Sequence, residues 1–545
     1  MYIGDEYVLW AIGLQDESEH PFRWDMRGDN NSVSITSSNN SVISCQFGVL
    51  RANNIGTAII TVKYVGQNIS KQMEVKVIER SNINSDDLKI LNVDLETYGL
   101  DNTGAKDSGT TNTQSIINLF KYASENNYNK IIFPTGTYNV QGDVGTIEYP
   151  SNMIVDWNNS IIQLELRKTI DIKNYNHVNP GNKYAYHMFK IYCTKNLTIL
   201  NGKFYGENYM TDKNYHIEAE ETLDICGGDN ILIENCEFNY APGFNVGLMQ
   251  RQHRETIVSL KLNNIEIGGI NDFGENKDIS TRFRTKDFLS LDSLNKIKDI
   301  TLKFSVGNVQ GGLGYPYVTS RIYNIYFYDE NKTFISKLKN CIQHEFYERP
   351  SGSAYCKIDF YQDYLPTEAD PDFGGVVHIL AIEELKNITF KKCKFKEAMS
   401  TGLSPQGGTN VLIDDCDFIN CGYYDPSAQI DWEDNSHYMH GHIVRNSRFI
   451  NNNDGVSFVI SVNSRNIVLH NNEFRDTILD FRVNSENYRI FKNNWTSNDS
   501  NLVKLGFSAK TDAVVAYNSY IKGIPFNIGT TYGDNTIWNF SNIEI

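Results

Sequence analysis

A short pattern that returns again and again constrains this chain more than any other feature. It is clearest at Asn410-Val411-Leu412-Ile413-Asp414-Asp415-Cys416-Asp417-Phe418, and it recurs at Asn196 to Phe204, Asn230 to Phe238, Asn387 to Phe395, Asn466 to Phe474 and Asn487 to Trp495. Each copy begins with Asn and alternates apolar residues. A small or polar residue follows six positions on (Gly202, Cys236, Cys393, Cys416, Asn472, Asn493), and an aromatic eight positions on. The aromatics at 395, 418, 449, 474 and 495 are spaced by 23, 31, 25 and 21 residues, and Tyr520 extends the series. Alternating β-type residues at such a period, with no helical stretch between copies, predict a solenoid of short parallel strands. One coil cannot bury its own apolar face, so coils must stack and like residues pile into ladders along the axis. The fold class expected is all-β: a parallel β-helix.

At 545 residues the chain exceeds a single compact core, so several modules are expected. A net charge of -16 argues against a nucleic-acid partner, whose phosphates would be repelled. No apolar run follows Met1 and none reaches 18 residues, so neither a secretion signal nor membrane insertion is expected. Nine Cys is an odd number, and Cys236, Cys393 and Cys416 share one repeat position. They read as an inward stack of reduced thiols rather than as disulfides or metal ligands.

Taken in order, residues 1–82 read as short strands with Gly and Asn turns. The piece from Phe47 to Val62, with its Gly56-Thr57-Ala58 and β-branched strand, resembles the group 2 bacterial Ig-like modules. The resemblance implies a β-sandwich serving as a spacer. Residues 83–148 form a lead-in: Thr113 to about Asn126 fits an amphipathic helix opened by a Thr cap, followed by Ile131-Ile132-Phe133-Pro134-Thr135-Gly136-Thr137-Tyr138. This segment resembles the start of the pectate lyase superfamily, especially phage tailspikes and related glycoside hydrolases. In that family the β-helix is right-handed and a helix caps its first coil.

Coils are expected over 149–284, with Leu260 to Ile267 a degenerate copy, and again over 379–545. The gap of 128 residues between Ile267, which ends the degenerate copy, and the aromatic Phe395 marks an insertion at 285–378, centred on a hairpin whose turn is Asp329-Glu330-Asn331-Lys332. It resembles the small carbohydrate-binding-like β-sandwich inserts of phage tail proteins, and Tyr315 and Tyr317 could stack on sugar rings or be half-buried strand residues. Ile537 to Ile545 again reads as a strand, so the chain stops within a coil. Either a truncated chain or a partner covering that end is expected.

Chemistry is expected at Gln429-Ile430-Asp431-Trp432-Glu433-Asp434. If Ile430 and Trp432 point inward, Asp431 and Glu433 share the outer face with Cα atoms roughly 6.5 Å apart. Such a pair suits glycosidic cleavage, one carboxyl protonated as acid and the other ionised as base or nucleophile; the alternative is two acids on a solvated face. Tyr423, Tyr424 and Tyr438 bracket the stretch as candidate substrate contacts. The stretch also resembles the Ile-Asp-x-Glu-Asp-Gly signature of β-helix appendage and tailspike proteins of phages infecting Gram-positive bacteria, with Asn435 in place of the Gly. That resemblance implies Asp431 and Glu433 as the catalytic pair and Asp434 as a third acid or turn-former.

Further candidates for substrate binding are Asp224, which could line the same groove, and His253 with Arg254, which could meet an anionic glycan. His437, His440 and His442 fit no zinc spacing, so no metal is expected. No cofactor is expected either, unless the protein is a lyase. A lyase would want Ca²⁺ and a basic residue near the acids, yet no Lys or Arg follows Asp431 before Arg445. The resemblance implies a homotrimeric, virion-tail depolymerase whose partners are a bacterial cell-surface glycan and phage tail or baseplate proteins. A non-catalytic receptor-binding spike and a polysaccharide lyase or phosphodiesterase are the alternatives.

Overall fold

The computed structural model describes the chain apart from residues 10–11, 16–17, 22–32, 65–68, 81–87, 143, 166–186, 207–219, 250–251, 292–302, 308–317, 319, 321, 344–346, 368–374, 383–384, 424–427, 434–438, 452–456, 463, 482–486, 497–504, 508–511, 517, 521–525, 529–535, 541–542 and 545. In several strands, 252–259 among them, only the backbone is described.

The chain folds into a right-handed parallel β-helix whose coils present three faces. One ladder of strands includes Leu385–Lys391, Gly408–Asp414, Ile443–Arg445, Val468–His470 and Tyr488–Phe491. A second includes Phe244–Met249, Thr401–Pro405, Ala428–Glu433, Ser457–Val462 and Thr477–Phe481. The third holds 11 described strands, from Thr137–Val140 to Ile543–Glu544. In the first coils the first two ladders are continuous: Phe189–Leu200 and Glu221–Glu234 each run through both.

The Asn that opens each repeat turns the chain between the second and first ladders. Asn196, Asn230, Asn387, Asn410, Asn466 and Asn487 all have φ between 54° and 59°, and five residues on a second left-handed bend follows, as at Asn235, Asp415 and Asn471. Asn is the non-glycine residue that tolerates this conformation most readily. Its amide also links coils: Asn230 Nδ2 donates to Asn196 Oδ1 at 3.1 Å and Asn487 Nδ2 to Asn466 Oδ1 at 2.5 Å.

Inside, the sixth-position residues form a hydrogen-bond ladder. Asn472, Asn493 and Asn518 each accept from the backbone N–H of the residue above at 2.9–3.0 Å. Each also donates at 2.9 Å to a carbonyl of the preceding coil. Cys393 and Cys416 occupy the same place, with Sγ 3.3 Å from the Ile233 carbonyl and 3.6 Å from that of Phe390. All nine cysteines are free thiols, and burial lifts Cys236 and Cys416 well above the ordinary thiol range. The aromatics stack along the third ladder: Phe204, Phe238, Phe395, Phe418, Phe449, Phe474 and Trp495 have successive ring centroids 4.6–5.6 Å apart. Backbone register places Tyr520 opposite Trp495, continuing the series.

The end of the solenoid is closed by helix Gly109–Glu125, which buries Ile116, Leu119, Phe120 and Ala123 in the main core. The helix begins four residues before the expected Thr113. Its N-cap is Ser108, without a side-chain cap bond, and the Thr113 hydroxyl instead accepts from the Gln141 backbone at 2.8 Å. Thr113 anchors the helix to the coil below, a tertiary contact that resembles a cap in sequence.

The insertion begins earlier than expected. Gln252–Leu260 pairs antiparallel with Val377–Ile382, and Ile265–Ile267 with Phe283–Thr285, so 260–267 is not a coil and the departure from the helix starts near 252. Apolar alternation is the same for parallel and antiparallel strands, so composition could not mark the switch. The expected hairpin is present as Ile322–Tyr328 and Phe334–Ile342, turning at Asp329. Tyr315 and Tyr317 lie outside the described residues.

The N-terminal strands form small antiparallel sheets, Glu6–Val8 with Val49–Ala52 and Ile43–Gln46, and Val33–Ser37 with Gly56–Tyr64 and Ile69–Val77. The first of these sheets lies against the outer face of the first ladder, where Val8, Phe47 and Val49 pack on Leu412, Ile443, Val468 and Phe491. Among the described residues no helix is long and apolar enough to cross a membrane.

Candidate active site on the second ladder

Strand Ala428–Glu433 buries Ile430 and Trp432 completely, which turns Asp431 and Glu433 to the outer face as strand alternation requires. The inward side is fixed by more than apolarity. Trp432 Nε1 lies 3.1 Å from His442 Nδ1, and His442 Nε2 lies 3.0 Å from the Gly408 carbonyl. Burial holds the His442 imidazole down to about 3, so it is neutral at any physiological pH and positions the strand instead of titrating. The two acids differ in surroundings: Asp431 is 7% exposed, whereas Glu433 is open to solvent.

Register extends this position along the whole ladder. Glu148 pairs with Lys190, Lys190 with Asp224, and Asp224 with Gly247. Gly247 pairs with Ser404, and the same register carried one residue past Leu403–Ile430 sets Ser404 beside Asp431. Asp431 then pairs with Ile460 and Ile460 with Asp480. Asp224 and Asp431 therefore share one outward row, three rungs or about 14 Å apart.

At the Asp224 end the row is densely charged. Asp224 is 2% exposed, with Lys190 Nζ and His187 Nε2 each 3.7 Å from its Oδ2. Glu221 is 1% exposed, and its carboxylate fills the space above Gly247, where an added Cβ would lie 2.4 Å from Oε2. Burial first, and then the charge of Asp224, raise the Glu221 carboxyl well above the ordinary range. Both Glu221 oxygens, Thr222 Oγ1 and Ser404 Oγ are buried without a hydrogen-bond partner. Buried polar atoms are nearly always paired, so such a concentration marks a place where a ligand, ion or water is expected.

The other sequence candidates fall elsewhere or outside the description. Tyr423 stands at the corner before Ala428–Glu433, its hydroxyl donating to Glu397 Oε2. Asp434, Tyr424, Tyr438 and His437 lie outside the described residues. His253 and Arg254 belong to the antiparallel strand Gln252–Leu260 that leads into the insertion, and only their backbone is described. His187 and Glu221 were not anticipated. They stand 34 residues apart, the same interval as Phe204 and Phe238, so one repeat period was the signal that could have found them.

No family model and no curated protein matches the chain. Among solved structures, the tailspike of E. coli bacteriophage HK620 in complex with pentasaccharide aligns at 10% identity over 81% of this chain and 57% of its own, with a TM-score of 0.35. The Dettilon tailspike protein aligns at 9% identity over 83% and 59%, with a TM-score of 0.36. A polygalacturonase from Erwinia carotovora ssp. carotovora aligns at 8% identity over 84% and 94%, with a TM-score of 0.35. The chain thus spans less than two thirds of the length of the tailspikes it matches.

Proposed function

We propose that this protein is a depolymerase of the phage tailspike or appendage type, which binds a bacterial surface polysaccharide or wall teichoic acid and hydrolyses it at Asp431 and Glu433. The observation that carries the reading is the burial of Ile430 and Trp432, which leaves the two acids side by side on one outward strand, Asp431 in the same row as Ser404 and Asp224. Asp431, the drier of the two, is assigned as proton donor, because desolvation favours a neutral carboxyl; Glu433 is assigned as base or nucleophile. Asp434 stands as a third acid or turn-former. Tyr423, Tyr424, Tyr438, His253, Arg254 and Asp224 are assigned to substrate binding. The same reading makes the protein a homotrimer on a virion tail, acting outside the bacterial cell with tail or baseplate proteins as partners and its N-terminal strands as a group 2 Ig-like spacer.

The test is incubation with purified capsule and teichoic acid from several Gram-positive strains, followed by mass analysis of products. Oligosaccharide release that disappears in Asp431→Asn and Glu433→Gln, with glycan binding retained, supports the hydrolase. The shielding of Asp431 favours a rival, a passive receptor-binding spike, and binding without any product from the native protein would establish that rival instead. An unsaturated product would indicate a lyase.

A further inference from the structure

His187, Glu221 and Asp224 come from two successive coils, and their ligand atoms all lie within 4.8 Å of one another. His187 Nδ1 stands 3.8 Å from Glu221 Oε2, and Nε2 stands 3.7 Å from Asp224 Oδ2, so the imidazole sits between the two carboxylates. Three features separate this group from an ordinary surface patch of acids. Both carboxylates are almost fully buried, and neither oxygen of Glu221 meets a hydrogen-bond donor, its polar neighbour being the Asp224 carboxyl, which can bond to it only by sharing a proton. The carboxylate has room only because position 247 is Gly, since any side chain there would collide with it. The neighbouring cation, Lys190, reaches Asp224 and so offsets one negative charge, not two.

Burying two acids together is costly unless their charge is neutralised and their lone pairs are used. A proton on His187, or one shared between Glu221 and Asp224, would neutralise the second charge but leave at least one Glu221 oxygen unused, whereas a divalent cation would meet both needs. We propose that His187, Glu221 and Asp224 form a binding site for a first-row divalent metal ion such as Zn²⁺ or Mn²⁺. One imidazole nitrogen with two carboxylate oxygens is a donor set that suits these ions. Calcium, which takes six to eight oxygens, is served poorly by it. The remaining coordination positions would be filled by water or by a substrate oxygen. The site lies three rungs from Asp431 and stands whether or not that pair cleaves a glycan.

The experiment uses the full chain, stripped with EDTA and titrated with ZnCl₂ and separately with MnCl₂ by calorimetry, with the melting temperature followed in parallel. One ion per chain is expected, together with a metal-dependent rise in melting temperature. Glu221→Gln should weaken binding by more than about 100-fold, beyond the loss typical of residues that only support a ligand. His187 is half-buried, so His187→Gln is the variant least prone to misfolding, and it should lose affinity while its metal-free melting temperature stays unchanged. The proposal is overturned if neither ion binds. It is equally overturned if both variants bind as the native chain does, or if neither ion raises the native melting temperature while Glu221→Gln raises it without metal, the signature of a carboxyl pair sharing a proton.

Discussion

Two faces of one solenoid have been put to opposite uses. On the first ladder, the outward row Leu412, Ile443, Val468 and Arg489 lies beside a second row, Asp414, Arg445, His470 and Phe491. The N-terminal strands seal both. Arg445 bridges Glu6 and Asp414 at 2.7 and 2.8 Å, His470 Nε2 stands 2.7 Å from Glu6, and Arg489 donates to the Leu9 and Phe47 carbonyls. Among the described residues Glu6, Asp414, Arg445 and His470 each have an ion-pair partner there, although Arg445 Nε is buried without a hydrogen-bond partner. On the second ladder the outward row carries Lys190, Asp224, Ser404, Asp431 and Asp480, and Ser404 Oγ in it, like both Glu221 oxygens and Thr222 Oγ1 close by, is buried without a hydrogen-bond partner. Both faces rest on the same inner ladders. The repeat fixes what points inward, while outward positions are free to become an interface or a site.

The largest expected effect tests the outer face of the second ladder. Asp431→Asn or Glu433→Gln should slow product release by about 10²–10⁴-fold, the usual contribution of a positioned acid or base, without lowering the melting temperature. Asp414→Asn, on the sealed face, should leave release unchanged. Equal losses from both would erase the distinction between the faces.

On the sealed face, Arg445→Met strands Glu6 and Asp414 and should cost about 3–5 kcal/mol, read by chemical denaturation, with faster hydrogen exchange at Glu6–Val8 and Val49–Ala52. A loss within the error of the fit would mean that the N-terminal strands are not held by this cluster.

A smaller effect is expected with pH. Burial raises the Glu6 carboxyl, but the hydrogen bond and charge of His470 and the guanidinium of Arg445 outweigh it and leave Glu6 below its ordinary value of 4.5. A carboxyl depressed in the folded state contributes stability that is present above the unfolded value and lost as pH falls through the folded one. Melting temperature should therefore drop on the acid side of 4.5, and Glu6→Gln should flatten that drop. An unchanged acid limb in the variant would remove Glu6 from the account. Smallest of all, Arg51 lies 3.9 Å from Glu6 with its side chain 58% exposed, and Arg51→Ala should cost no more than about 1 kcal/mol.

Much of this was legible in the residues. The repeated Asn, the sixth-position residue and the aromatic announced the coils, because every coil must solve the same packing problem with the same residue types. Alternation around Ile430 and Trp432 likewise announced which side Asp431 and Glu433 would take. What the Asn was for was less apparent: it supplies a left-handed bend and an amide rung together, and only the observed φ and hydrogen bonds separate these roles. The start of the insertion was misplaced because the Gln252–Leu260 strand carries an ordinary apolar pattern and chooses its partner, Val377–Ile382, more than a hundred residues away.

By itself the sequence determined the inside of this protein, its coil period, its ladders and the direction each strand residue faces. These follow from periodicity, a local property that each segment carries alone. Tertiary structure decided the outside: that an apolar row at Leu412, Ile443 and Val468 would be covered by strands from the N-terminus, and that His187, Glu221 and Asp224 would meet around one point. Those outcomes depend on which distant surfaces come together. Burial and charge pairing are settled by the neighbour across the gap, and no stretch of chain specifies that neighbour on its own.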